Sequence, residues 1–120
     1  MIQFIETPAL IKAAGNKEKR IEEFFGRVNS NTGEVSIARM LSPEGWIEPA
    51  QCPEFNEYTL VLSGTLKVVT REKEYIIHAG QAIMTGQGEW VQYSSPFTGG
   101  AEYVAVCLPA FSVDLVKREE

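Results

Sequence analysis

Gly45-Trp46-Ile47-Glu48-Pro49-Ala50-Gln51-Cys52-Pro53-Glu54-Phe55-Asn56-Glu57-Tyr58-Thr59-Leu60-Val61-Leu62-Ser63-Gly64 is the stretch whose reading decides the fold. A glycine turn opens it. Pro49 and Pro53 remove ladder donors from its first half, so Trp46 to Cys52 reads as an edge or irregular strand. Tyr58 to Leu62 is rich in β-formers, and Ser63-Gly64 reads as a tight reversal into the next run, Thr65 to Thr70.

Working outward, the same rhythm continues on both sides. Val35 to Leu41 is a strand candidate stopped by Ser42-Pro43-Glu44-Gly45. Arg71 to Glu74 is a charged hairpin loop, followed by Tyr75 to His78, the turn Ala79-Gly80, Gln81 to Thr85, Trp90 to Ser94 and a long last strand, Glu102 to Leu108. Short strands at close spacing with glycine turns predict an antiparallel sandwich or barrel. Upstream, Ile21 to Val28 reads as a strand ending at the turn Asn29 to Gly33, although Glu18 to Phe25 also suits a helix by propensity. The expected division is an N-terminal arm over 1–34 packed on the barrel, a barrel over 35–110, and a solvated turn or short helix over 111–120, all in one domain.

The chain has 120 residues, 44% hydrophobic and 22% charged, which suits one globular domain with a real core. A formal charge of −5 argues against nucleic acid or an anionic membrane as partner. No apolar run is long enough to span a bilayer, and Met1 to Glu6 does not read as a secretory signal, so a cytoplasmic location is expected. Cys52 and Cys107 form no CxxC or zinc pattern and read as inert thiols. His78 is the one histidine of the chain, at a strand end, and reads as a surface residue.

The opening stretch resembles the first motif of the cupin superfamily, G-x5-H-x-H-x3-E-x6-G, in its spacing. Gly45, Gln51, Pro53, Glu57 and Gly64 fall on its positions. The second motif, G-x5-P-x-G-x2-H-x3-N, is matched in spacing by Gly80, Gly86, Gly88, Val91 and Ser95, so the resemblance covers roughly Val35 to Leu108. It implies an all-β, antiparallel jelly-roll barrel with a short extra strand or helix at the N-terminus. The final strand also resembles that of the ethanolamine-utilisation type of cupin, which lacks the histidine cluster. Where metal-binding cupins hold their ion with three histidines and a glutamate, this chain has Gln51, Pro53, Val91 and Glu57. No cofactor is therefore expected; a divalent metal, if held, would use Glu57 and Gln51.

In such a barrel, alternate residues face the lumen. Gln51, Glu57, Thr59, Val91 and Tyr93 are the expected ligand-binding set, with Glu57 as the catalytic acid or base. Glu54 is expected in a loop, and Trp46 and Trp90 in the core or at the pocket rim. Three functions remain open: a binder of a small polar metabolite, sugar-like or carboxylate-bearing, acting as a metal-independent isomerase or lyase; a metal-dependent cupin enzyme of dioxygenase or isomerase type with a non-classical oxygen-rich site; and a non-catalytic sensor or assembly partner. A homodimer is expected, with Phe4-Ile5 and Phe24-Phe25 as candidate contacts.

Overall fold

The computed structural model describes residues 1–119. Among them the order is β1 (Ala9–Ile11), β2 (Arg20–Phe25), β3 (Ser36–Ser42), β4 (Trp46–Ile47), β5 (Asn56–Thr70), β6 (Glu74–His78), β7 (Ala82–Thr85), β8 (Val91–Ser95), β9 (Ala101–Leu108) and a short helix, α1 (Val113–Val116). All pairs are antiparallel, in the order β1-β2-β3-β9-β5-β8-β4, with β6 and β7 also on β5. The sheet curls until its inner faces enclose a lumen. No helix among the described residues is long and apolar enough to cross a membrane.

β5 is the strand on which the two halves of the sheet meet. Asn56 to Leu60 pairs with β9, and Glu57 to Leu60 also with β7. Beyond them, Thr65 to Val69 pairs with β6 and Lys67 to Thr70 with β8. The register slips between Val61 and Ser63, and Gly64, at φ 74°, carries the bend. The reversal expected at Ser63-Gly64 is thus a bend inside one strand of 15 residues. β9 follows β5 through the corner, pairing Gly64 with Ala101, so the chain keeps its ladder instead of folding back.

Alternation fixes what faces the lumen. On β9 the buried residues are Ala101, Tyr103, Ala105 and Cys107; on β3, Ser36, Ala38 and Ser42. At one end of the barrel large side chains meet: Trp46, Val61, Leu66, Val68, Val91, Tyr93 and Tyr103 belong to one apolar cluster. A second, smaller cluster forms around Phe55, Cys107 and Val116. Between them the strands β3 and β9 offer only small inward residues, Ser36, Ala38 and Ala105, and a cavity remains.

Both chain ends are tied to the stretch 44–54. The loop between β1 and β2 is strapped to β4: Asn16 Oδ1 accepts from Ile47 N at 2.9 Å, Asn16 N donates to Ile47 O at 3.1 Å, and Trp46 Nε1 donates to Ala14 O at 3.0 Å. The C-terminal segment does not stay in solvent. Cys52 N donates to Lys117 O at 3.1 Å, Glu54 N to Leu115 O at 2.8 Å, and Glu119 N to Ala50 O at 2.8 Å. Val116 is buried, because α1 lays it on Phe55 and Cys107 as a plug. Trp46 to Cys52 is a regular strand only at Trp46–Ile47. Pro49 interrupts it, and Gln51 rejoins the sheet through isolated bridges to Val91 and Arg118. Phe4 stays exposed, whereas Phe24 and Phe25 are half-buried on β2.

Candidate functional site

The cavity between the two clusters has a volume of about 60 Å³, and its wall includes Glu57, Gln51, Tyr93, Glu48, Lys19 and Arg118. Since a cavity needs roughly 10–15 Å³ to hold one water, this one has room for a few waters or a small ligand. Each polar group arrives by a definite route. Glu57 is the first inward residue of β5, opposite Thr85 on β7 and Cys107 on β9. Tyr93 projects from β8 and shares a hydrogen bond of 2.9 Å with Thr85 Oγ1. Gln51 is 3% exposed; both its backbone groups are bonded to Val91, but its side-chain Oε1 has no protein partner among the described residues. A buried amide left open in this way is costly unless something fills the site.

The other two residues of the expected set lie elsewhere. Val91 is fully buried in the apolar cluster, and Thr59 is 2% exposed, inward on β5 but outside the cavity wall. Glu54 is exposed on the surface and faces Lys117 at 3.9 Å, as its loop position suggested. His78 is exposed on β6. Trp46 belongs to the core and to the cavity wall, whereas Trp90 lies outside it, its Nε1 donating to Glu119 Oε2 at 3.0 Å.

Burial dominates the electrostatics. Glu57 is raised to about 7 by desolvation and then by Glu48, against the opposing pull of Lys19, the Tyr93 hydroxyl and Arg118. Glu48 is also raised, by desolvation against Lys19 and Arg118; Arg118 Nε lies 3.6 Å from Glu48 Oε2. Desolvation and the Glu57 charge hold the Tyr93 hydroxyl neutral. Burial and Glu57 likewise push the Cys107 thiol up, which leaves it a poor nucleophile. Both cysteines are free.

The donor set does not suit a resident metal ion. Of the motif positions, Glu57 and Gln51 supply one carboxylate and one amide and Pro53 and Val91 supply nothing; of the other wall carboxylates, Glu48 faces Arg118 and Glu23 accepts from Val28 N and Asn29 N. Among the described residues no group of three His, Cys, Asp or Glu side chains converges as a metal site would require.

Lys19, Glu48 and Arg118 escaped the sequence reading. Alternation from Trp46 places Glu48 inward and was a usable signal. Lys19 and Arg118 come from the strapped loop and the C-terminal plug, and nothing local marks either. The Arg118–Glu48 pair gives a direct test. Arg118→Met is expected to cost about 2 kcal/mol in urea unfolding at pH 8, below the usual cost of stranding a buried charge because Arg118 is a quarter exposed. At pH 4 the loss is expected to shrink, since Glu48 is then protonated; an equal loss at both pH values would contradict the pairing.

No protein-family model matches the chain. A curated relative, "Endoribonuclease YbeY" of Myxococcus xanthus, is 44% identical over 101 residues; the match takes in 84% of this chain but 34% of the relative. The chain thus spans about a third of that relative's length. Among solved structures, a predicted oxalate decarboxylase of Thermotoga maritima superposes with a TM-score of 0.73 at 20% identity, over 89% of this chain and 99% of that one. The EutQ protein of Clostridium difficile gives 0.64 at 21%, over 77% and 63%. A Cupin 2 conserved barrel domain protein of Salinispora arenicola gives 0.64 at 16%, over 75% of each chain.

Proposed function

We propose that this chain, whose fold is that of the cupin barrel, binds a small polar metabolite in its cavity and uses Glu57 on it as a metal-independent acid–base group, in the manner of an isomerase or lyase. One observation carries the reading: a carboxyl with a proton affinity near neutrality faces a cavity beside a buried amide oxygen that no protein group among the described residues satisfies. At neutral pH such a group is populated in both forms, so it can take a proton from carbon and return it to a neighbouring atom. Tyr93, held neutral, offers its hydroxyl as a donor to an oxygen that gains charge in that step. The amide of Gln51 would orient the ligand's oxygen substituent.

Deuterium exchange tests this without knowledge of the turnover product. Small carbonyl and hydroxyl compounds are incubated with the protein in D2O and followed by NMR. At least one is expected to gain deuterium next to its carbonyl, with exchange reduced about a hundredfold or more in Glu57→Gln. Binding with no exchange and no turnover would remove the acid–base role and leave a binding barrel.

The endoribonuclease relative favours a second reading, in which the barrel is an accessory module that senses a metabolite for a larger RNA-processing protein. The 44% identity supports it. The acidic charge and the exposed position of the lone histidine speak against RNA chemistry in the barrel itself. Incubated with a structured RNA, the chain alone is expected to leave it intact; cleavage that tracks the barrel through purification would reverse that assignment.

A further inference from the structure

The cavity wall that carries Glu57 and Gln51 also carries an ammonium. Lys19 Nζ lies 4.0 Å from the ring centroid of Trp46 and 5.1 Å from that of Tyr103. The two rings offset part of the cost of holding this charge away from bulk water. Among the described residues no carboxylate oxygen comes within ion-pair distance of Lys19, whereas the other cation of the wall, Arg118, faces Glu48. The strapped loop positions Lys19, since its bonds to residues 44–47 fix the chain just before β2.

Lys19 also lines the surface groove outside the cavity, which shares Ile11, Ala13 and Ile21 with it and runs past Lys12, Lys17 and Arg20. Arg20 is paired with Glu22 at 2.7 Å, and Lys17 donates to Glu44 O at 2.8 Å; Glu18 and Glu102 also border the groove. Even so, four cations within residues 12–20 make this the basic end of a chain with a net charge of −5. A positive mouth of this kind concentrates small anions.

We propose that the ligand of this site is a small hydroxy acid in its carboxylate form, its carboxylate on Lys19 and its hydroxyl-bearing carbon toward Gln51 and Glu57. This rests on the acid–base reading above. The Lys19 ammonium acts on Glu48 and Glu57 only from beyond ion-pair distance, which leaves it able to take an anion directly. The open Oε1 of Gln51 is an acceptor and calls for a donor, which a hydroxyl supplies and a bare carboxylate does not. A cavity of about 60 Å³ favours the smallest such acids.

Calorimetric titration with glycolate and lactate, and with lactamide as the neutral analogue, tests the proposal. At least one acid is expected to bind about tenfold or more tightly than lactamide, and Lys19→Met is expected to remove that preference. Lys19→Met keeps the methylene stem on Trp46, and Lys19→Arg restores the charge and is expected to recover part of the affinity; matching thermal melts confirm that both fold. Equal affinity for lactate and lactamide, or acid binding untouched in Lys19→Met, overturns the anion assignment while the acid–base reading stands on its own exchange test. Failure of both acids to bind at millimolar concentration overturns the ligand class. If deuterium exchange into neutral carbonyl compounds persists, the acid–base reading survives; if that exchange is absent too, both fall.

Discussion

Glu57→Gln is expected to stabilise the fold at pH 8 and to leave it nearly unchanged at pH 4. In the folded chain the Glu57 carboxyl is raised from 4.5 to about 7, chiefly by burial. Between those values the unfolded chain has released its proton and the folded chain still holds one, so stability falls as pH rises through that window and levels off above about 7. A displacement of this size corresponds to about 3 kcal/mol once both states are ionised. Gln has the shape and neutrality of the protonated acid and escapes the cost. The variant should therefore melt about 10 °C above the parent at pH 8, with the two curves converging near pH 4. A gain that is constant across pH would show that Glu57 titrates at its ordinary value and would remove the main support for the acid–base role.

A residue that lowers the stability of its own fold at neutral pH needs another reason to be there. The cavity supplies one, since the same burial that destabilises the carboxylate makes it a competent base. Glu48 shows the contrasting solution. It is also buried and raised, but Arg118 faces it, so its charge is matched within the protein. Glu57 makes no ion pair among the described residues, and the open Gln51 amide shares its cavity. Glu48 and Glu57 thus differ in that a protein cation matches the charge of the first and makes no ion pair with the second among the described residues.

Much of the fold was legible because β-strands write their alternation locally. Gly45, Gly80 and Gly88 marked turns, and period two placed Glu57 and Tyr93 inward. The site was legible only in half. Glu57, Gln51 and Tyr93 lie on strands or bridges and could be read from them. Val91 and Thr59 were expected beside them by the same alternation, but inward residues do not all reach a cavity; apolar neighbours close over the end where Val91 sits. Lys19 and Arg118 depend on hydrogen bonds between segments far apart in the chain, and no local pattern encodes that.

The bend at Gly64 was misread for the same reason, and its substitution should have a large structural effect. At φ 74°, an alanine would adopt the left-handed region at a cost of about 1–2 kcal/mol. Its Cβ would also collide with the carbonyl oxygen of Gly100, with Gly100 C at 3.0 Å and Ala101 Cα at 3.1 Å behind it. These are backbone atoms, so no rotamer change relieves them, and Gly100 has no room to shift sideways, since even a Cβ of its own would collide with the Ser42 carbonyl. Gly64→Ala is expected to cost on the order of 4 kcal/mol in urea unfolding. Gly80→Ala isolates the two contributions: its φ is 85°, yet nothing lies within 4 Å of the added methyl, so a loss of about 1 kcal/mol is expected there. Equal losses at the two positions would mean that backbone conformation alone sets the cost and that the corner is not tightly packed. Because Gly64 and Glu57 share β5, with β9 paired to both, an expected further result is a loosened cavity. If Gly64→Ala moves β5 away from β9, water reaches Glu57 and its titration should shift down toward the ordinary carboxylate range, which carbon-13 NMR of the labelled side chain would register.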